Sequence, residues 1–200
     1  MKKRMILFLA ALLLLSLTAC GGGSKQDGPS AAAGTFEKVR HAEITLKGYG
    51  TIKLELDEGT APITVANFIK LAQAGFYDGL TFHRIMDGFM IQGGAPNASS
   101  TIKPETIKGE FSSNGVKNPI QHVAGIISMA RATNPDSASS QFFITVADSP
   151  HLNGNYAAFG RVTEGLAIAQ KIAKDAKPTD NNGTIPAAQQ PVIEKIVITD

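Results

Sequence analysis

Residues 41–57 read HAEITLKGYGTIKLELD. Apolar residues fall on alternate positions either side of a Gly-Tyr-Gly turn, so Ile44 and Leu46, then Ile52, Leu54 and Leu56, occupy single faces of two strands. A period of two predicts a hairpin with one face turned to a core. Further short runs continue the strand pattern: LTFHRI, FMIQGG, GIISMA, SQFFITV, AAFGRV and VIEKIVIT. Two segments change the period. TAPITVANFIKLAQAG puts Val65, Phe68, Ile69 and Ala72 on one helical face, with Pro62 in the first turn and Gly75 at the end. EGLAIAQKIAK has helical spacings at Leu166, Ala169, Gln170 and Ile172. Many short strands with two helices fit an antiparallel sheet that curls into a barrel, its ends covered by helices, better than an alternating α/β fold. GAPNASSTIKPETIKGEFSSNGVKNPIQHVAG, ahead of GIISMA, lacks sustained periodicity and is expected to be a long ordered loop, a kind of segment that often carries function.

The chain has 200 residues, 43% of them hydrophobic and 18% charged, enough for one good core with residues left over for tails. Lys2, Lys3 and Arg4 precede the apolar run MILFLAALLLLSL, which is too short to span a bilayer comfortably and reads as a secretory signal over residues 1–19. Without those three cations, 16 basic residues face 17 acidic ones, a net charge of −1 that offers no bulk attraction to nucleic acid. The run ends in LTAC, which resembles the lipobox of bacterial lipoprotein precursors and implies cleavage before Cys20 and acylation of it. The alternative is an ordinary cleaved signal that happens to end near a cysteine. Cys20 is the sole cysteine, so no disulfide can form within the chain, and lipidation would account for a thiol in an exported protein and anchor it to a lipid bilayer. Residues 20–40 are rich in Gly, Ser and Ala and read as a flexible spacer, leaving 41–200 as the folded domain.

Several chemistries find no support. His41, His83, His122 and His151 are far apart in sequence and show no metal-ligand spacing, so no metal and no cofactor is expected. The serines of DSASSQ are not in a nucleophile elbow, no phosphate-binding glycine loop with a following lysine is present, and Asp78 and Asp87 read as turn residues beside glycine rather than as paired carboxylates. The unexplained feature is FHRIMDGFMIQGG, where Arg84 and Gln92 sit among apolar residues although unpaired polar groups away from water are costly. Alternation would set His83 and Ile85 against Phe82 and Arg84, and Phe89 and Ile91 against Met90 and Gln92. SQFFI repeats the combination with Gln141, Phe142 and Phe143. An apolar socket rimmed by guanidinium and amide donors could hold a compact apolar side chain such as proline while hydrogen-bonding its backbone. Read without further context, Arg84 could equally belong to a structural ion network, Gln92 could cap a loop, and Phe89, Met90, Phe143 and Leu152 could be ordinary core. Met129 and Phe142 are assigned to the core, His83 to a packed structural role, His122 to a loop role, and His151 either to the rim or to an exposed loop.

FHRIMDGFMIQGG, GIISMARA, SQFFI and HLNGNYAAFGRV are strongly similar, in order, to the cyclophilin family of peptidyl-prolyl cis-trans isomerases, especially its short bacterial members. The resemblance covers about residues 41–199. It implies a mainly β fold, a closed eight-stranded antiparallel barrel capped by two α-helices, with a shallow proline-binding groove outside. It places the catalytic arginine at Arg84 and the groove glutamine at Gln92. Phe89, Met90, Phe143 and Leu152 would line the proline pocket, Ala130, Arg131 and Ala132 would run beside the peptide backbone, and Gln141 would lie near the neighbouring subsite. His151 and Tyr156 stand where many eukaryotic members have tryptophan and histidine, and Tyr156 is counted with the substrate-binding set. The missing indole is expected to weaken cyclosporin binding. The expected partners are proline-containing polypeptides met by a monomer, in a setting outside the cell membrane or on the periplasmic side of an outer membrane. The alternative is a non-catalytic peptide-binding or chaperone module on the same barrel, and a surface adhesion domain is a weaker third reading.

Overall fold

The computed structural model describes residues 35–200; the signal segment and Cys20 lie outside the described residues. The hairpin forms as its alternation requires. β1 (Val39–Leu46) and β2 (Gly50–Asp57) pair antiparallel, with Ile44 opposite Ile52 and Ala42 opposite Leu54, all four buried. The helix α1 (Pro62–Gln73) buries Thr64, Val65, Phe68, Leu71 and Ala72, while Ile69 is only half-buried. Its first turn has no local side-chain cap. Buried Glu110 serves instead from the long loop, accepting from the backbone N–H of Ile63 and Thr64 and from the Thr64 hydroxyl. Its negative charge also suits the positive end of the helix.

Then follow β3 (Phe82–Met86), β4 (Met90–Gly93), β5 (Ile126–Met129), β6 (Phe142–Thr145), β7 (Ala158–Glu164), α2 (Leu166–Asp175) and β8 (Ile193–Ile198). In α2 the buried residues are Ala169, Ile172 and Ala173, whereas Gln170 is exposed and donates to the Val146 carbonyl. The eight strands make one antiparallel sheet in the order β3-β4-β6-β5-β7-β2-β1-β8. At the β2–β7 contact a side chain on Gly160 would meet the Glu55 carbonyl at 2.5 Å, so only glycine allows that approach.

The sheet curls but is not the closed barrel expected. Its end strands β3 and β8 share no ladder, and the chain crosses between them only at the Thr81–Val192 bridge and neighbouring backbone bonds such as Phe82 N–H to the Pro191 carbonyl. Two causes are local. Pro191 has no N–H to return to a ladder, and the outer edge of β3 is already taken by residues 183–185, with Ile85 N–H donating to Gly183 and Ile185 N–H donating to His83. Gly183 is required there: its φ is +87° and an added Cβ would lie 2.7 Å from the Ile85 carbonyl.

The inner face of the sheet holds the main core. Phe68 packs against Tyr77, Phe142 and Phe159, and Phe142 meets Phe82 edge to face. Met129 and Phe142 are buried there as expected. Tyr77 is fully buried, its hydroxyl donates to the Ser140 carbonyl, and burial pushes its pKa well up. Packing also begins earlier than His41: Phe36 is buried with Ile120, Ile126 and Ala158 under the Arg161 guanidinium, and the Gly59 N–H donates to the Glu37 carbonyl.

Candidate active site

The outer face carries a second apolar cluster. Strict alternation does not predict it, because a bulge between Phe82 and Arg84 in β3 shifts the register. Phe82 and Ile85 therefore both turn into the core, while Arg84 and Met86 lie opposite Gln92 and Met90 of β4. The expected pairing of Phe82 with Arg84 on one face is thus corrected, as is that of Phe89 with Ile91: Phe89 lies in the turn and packs outside, and Ile91 is core. In β6, Phe142 goes in and Phe143 goes out. Met90, Phe143 and Leu152 are buried together on the outside, with Met86, Phe89, Ala130 and Tyr156 packed against them.

A pocket of about 110 Å³ opens over this cluster and is lined by Arg84, Phe89, Met90, Gln92, Ala130, Arg131, Phe143, Leu152 and Tyr156. Nine of the sequence-derived candidates therefore converge. Gln141 stands behind the lining, accepting from Gln92 Nε2 at 3.0 Å, and Ala132 is exposed outside it. Exposed His151 lies over Phe89, with ring centroids 5.3 Å apart, so it belongs to the rim. A larger hollow of about 330 Å³ between residues 74–80 and 97–102 holds none of these residues.

Arg84 is aimed from behind. Nε donates to the Asn182 carbonyl at 2.8 Å and Nη1 to Gln92 Oε1 at 3.1 Å, while Nη2 faces the Met86 sulfur at 3.4 Å. It forms no ion pair with any described residue, which removes the structural ion-network reading. A guanidinium has five N–H donors, and thioethers accept only weakly, so donor capacity remains for the pocket. Gln92 relays the chain of hydrogen bonds to Gln141 and is thereby fixed in orientation.

Support beneath the pocket comes from residues the sequence reading undervalued. His122, assigned a loop role, is buried under Phe143, its ring 18° from parallel. Asn153 Oδ1 accepts from the His122 backbone N–H and lies 3.0 Å from Nδ1, which places the proton on Nδ1; Nε2 then accepts from the Ser128 hydroxyl at 3.1 Å. One neutral imidazole thus ties the segment carrying Leu152 to β5. Burial is the main cause that holds the His122 pKa below the ordinary histidine value, against the opposing bond to Asn153. His83, next to Arg84, is lowered by burial first and by the Arg84 charge second, with the Gln141 side chain opposing, and its Nδ1 is buried without a hydrogen-bond partner. Phe111 was also missed: the Arg131 guanidinium carbon lies over its ring and over that of Tyr156, 5.0 Å and 4.9 Å from the two centroids. The His122–Asn153 and Phe111–Arg131 contacts join segments far apart in the sequence.

Residues 41–200 match the family described as cyclophilin type peptidyl-prolyl cis-trans isomerase/CLD. The chain is 50% identical over 123 residues to peptidyl-prolyl cis-trans isomerase B of Bacillus subtilis, covering 61% of this chain and 82% of that one. It is 39% identical over 179 residues to peptidyl-prolyl cis-trans isomerase A of Dickeya dadantii, covering 87% and 86%. A crystal structure of a Cryptosporidium parvum cyclophilin type peptidyl-prolyl cis-trans isomerase, obtained in the presence of the dipeptide Ala-Pro, superposes with a TM-score of 0.67 at 29% identity, over 80% of this chain and 99% of that one.

Proposed function

The chain belongs to the cyclophilin-type peptidyl-prolyl cis-trans isomerases and is an enzyme of that class, and from this we propose that Arg84 is its catalytic donor, acting on X-Pro bonds of exported polypeptides. An X-Pro bond is planar because the nitrogen lone pair is delocalised into the carbonyl, and uncatalysed rotation takes tens of seconds or longer. At the twisted midpoint that overlap is lost, the nitrogen becomes pyramidal and its lone pair becomes a good acceptor. A hydrogen bond from Arg84 is then far stronger than in either planar ground state, which is the condition for catalysis. Phe89, Met90, Phe143 and Leu152 grip the ring, Gln92 holds the flanking carbonyl, and rotation takes place on the N-terminal side of the proline. No proton is transferred. Bringing seconds to milliseconds needs about 10⁴-fold, or roughly 5–6 kcal/mol, within reach of one charge-assisted hydrogen bond with positioning and partial desolvation.

The observation that carries this reading is the Arg84 guanidinium, which has no ion-pair partner among the described residues and is oriented by Asn182 and Gln92 beside a small pocket floored by apolar side chains. The test is NMR line-shape exchange of a short Ala-Pro peptide, with the peptide Kd measured in parallel. Arg84→Ala should lower kcat/KM by about 10²–10³, roughly 3–4 kcal/mol, while the Kd changes much less. Arg84→Lys, a mobile point donor in place of a planar fork, should recover only part of the rate. Near-wild-type turnover by folded R84A moves the donor to another residue, and equal losses in rate and affinity reduce Arg84 to a substrate-positioning role.

The setting is proposed from LTAC following the basic and apolar N-terminal segment. Acylation of Cys20 would hold the domain at a membrane surface on the spacer that follows. Cys20→Ser should abolish fatty-acid labelling and shift the protein to the aqueous phase; unchanged membrane retention excludes the anchor.

A further inference from the structure

Arg131 is held in an unusual way for a residue at the edge of a peptide groove. Its guanidinium lies against the rings of both Phe111 and Tyr156. Nε donates to the Asn155 carbonyl at 2.9 Å and Nη1 to the carbonyls of Ala132 and Thr133 at 2.9 and 3.4 Å. These acceptors are neutral. Nη2 has no hydrogen-bond partner among the described residues, and Arg131 forms no ion pair with any of them. Arg84, the other guanidinium in the pocket, is likewise held by neutral oxygens. No carboxylate lines the pocket. The acids in the neighbouring turns are committed elsewhere. Asp136 accepts from Gly109 N–H and Asn114, Asp180 accepts from Asn182 N–H, Thr184 N–H and the Thr184 hydroxyl, and Asp87 accepts from Gly88 N–H. The groove therefore presents two positive charges uncompensated at contact distance on a chain whose predicted domain has no basic excess.

We propose that this groove selects X-Pro segments carrying an aspartate or glutamate beside the proline, with Arg131 as the selecting charge. The inference rests on the isomerase reading and adds a substrate class to it. A guanidinium held in place with one free nitrogen meets a carboxylate with little further loss of side-chain freedom, through a charge-assisted hydrogen bond from Nη2. Basic flanking residues are repelled by the same charge. Because the site is open to solvent, the effect is modest and screened by salt.

The experiment measures kcat/KM by NMR exchange on capped peptides that share an Ala-Pro centre and differ by Glu, Gln or Lys at one flanking position, before or after it. In wild-type protein at low salt, the Glu peptide should exceed the Gln peptide by about three- to fivefold at one flank, with Lys below both. The ratio should shrink towards one at about 0.5 M salt. Arg131→Gln should bring the ratio to about one, whatever happens to its absolute rate, and Arg131→Lys should retain part of it. The ratio within one protein is the readout, since Arg131 also lines the pocket and its loss can lower every rate. A Glu-to-Gln ratio near one in wild type, or a ratio that survives R131Q, overturns the proposal. Failure of wild type to accelerate even the Gln peptide would instead remove the isomerase reading beneath it.

Discussion

Phe142 and Phe143 are neighbours in one strand, 0% and 5% exposed, and do opposite things. Phe142 points into a sealed core in which it touches Phe68, Tyr77 and Phe82. Phe143 points outwards into a cluster that is covered by His122 and Tyr156 on its flanks but opens on a pocket rimmed by Arg84, Gln92 and Arg131. Burial alone does not distinguish a core from a binding floor. The difference lies in what surrounds the apolar atoms: other apolar groups on every side within, and donors with spare capacity without.

Replacing each phenylalanine in turn puts that distinction under load. Phe142→Ala should cost about 3–5 kcal/mol of stability, because the cavity it leaves is enclosed by packed rings, and activity should fall only in proportion to the folded fraction. Urea unfolding with exchange kinetics on the same samples measures both. Phe143→Ala should cost less, about 1.5–3 kcal/mol, since one side of the site already faces solvent and can relax, but it should weaken peptide Kd and turnover together in protein that remains folded. If the two variants lose stability equally and F143A binds peptide normally, the outer cluster is core and not a binding floor.

The smallest effect concerns acid. His122 and His83 both have pKa values lowered mainly by burial, so the unfolded chain binds protons that the folded chain refuses. Above the unfolded value near 6.5 both states are neutral at these sites and their contribution is complete. As pH falls from there towards the lowered folded values, stability is lost, with a slope of at most about 1.4 kcal/mol per pH unit at buried His122 and a smaller one at His83, which solvent partly screens. Urea midpoints followed downwards from pH 7 read the total, and His122→Gln should remove one of the two contributions. Since His122 is what lies beneath Phe143, the pocket should loosen before the aromatic core does, visible as Phe143 and Leu152 NMR signals that broaden ahead of Phe142. A His122→Gln protein with the wild-type pH profile would show that the buried imidazole carries no such linkage.

The existence and type of the elements were legible. Alternation in residues 41–57 is a local property, set by the pleat, and it survives folding intact; so does the apolar face of α1 built on Val65 and Phe68. Arg84 and Gln92 stood out as polar residues among apolar ones, but which phenylalanine faces the pocket was legible only through motif resemblance, because Phe142 and Phe143 carry the same hydrophobicity and nothing in the pair says which one goes inside. A two-residue period also has no means of announcing the bulge at His83, which sends Phe82 and Ile85 to one face and frees Arg84 for the other.

What only the tertiary structure decided are the contacts between distant segments. Closure is one: Pro191 and the insertion of Gly183 beside β3 stop the sheet from becoming a sealed barrel, and the same insertion brings the Asn182 carbonyl to Arg84. Glu110 on the N-terminus of α1, Phe111 on Arg131 and His122 under Phe143 all come from a loop with no periodic signal of its own. Sequence periodicity reports which face of an element is apolar, because that is a property of neighbours along the chain. It is silent on which loop satisfies a buried donor or clamps a cation, because that depends on groups tens of residues away meeting in space.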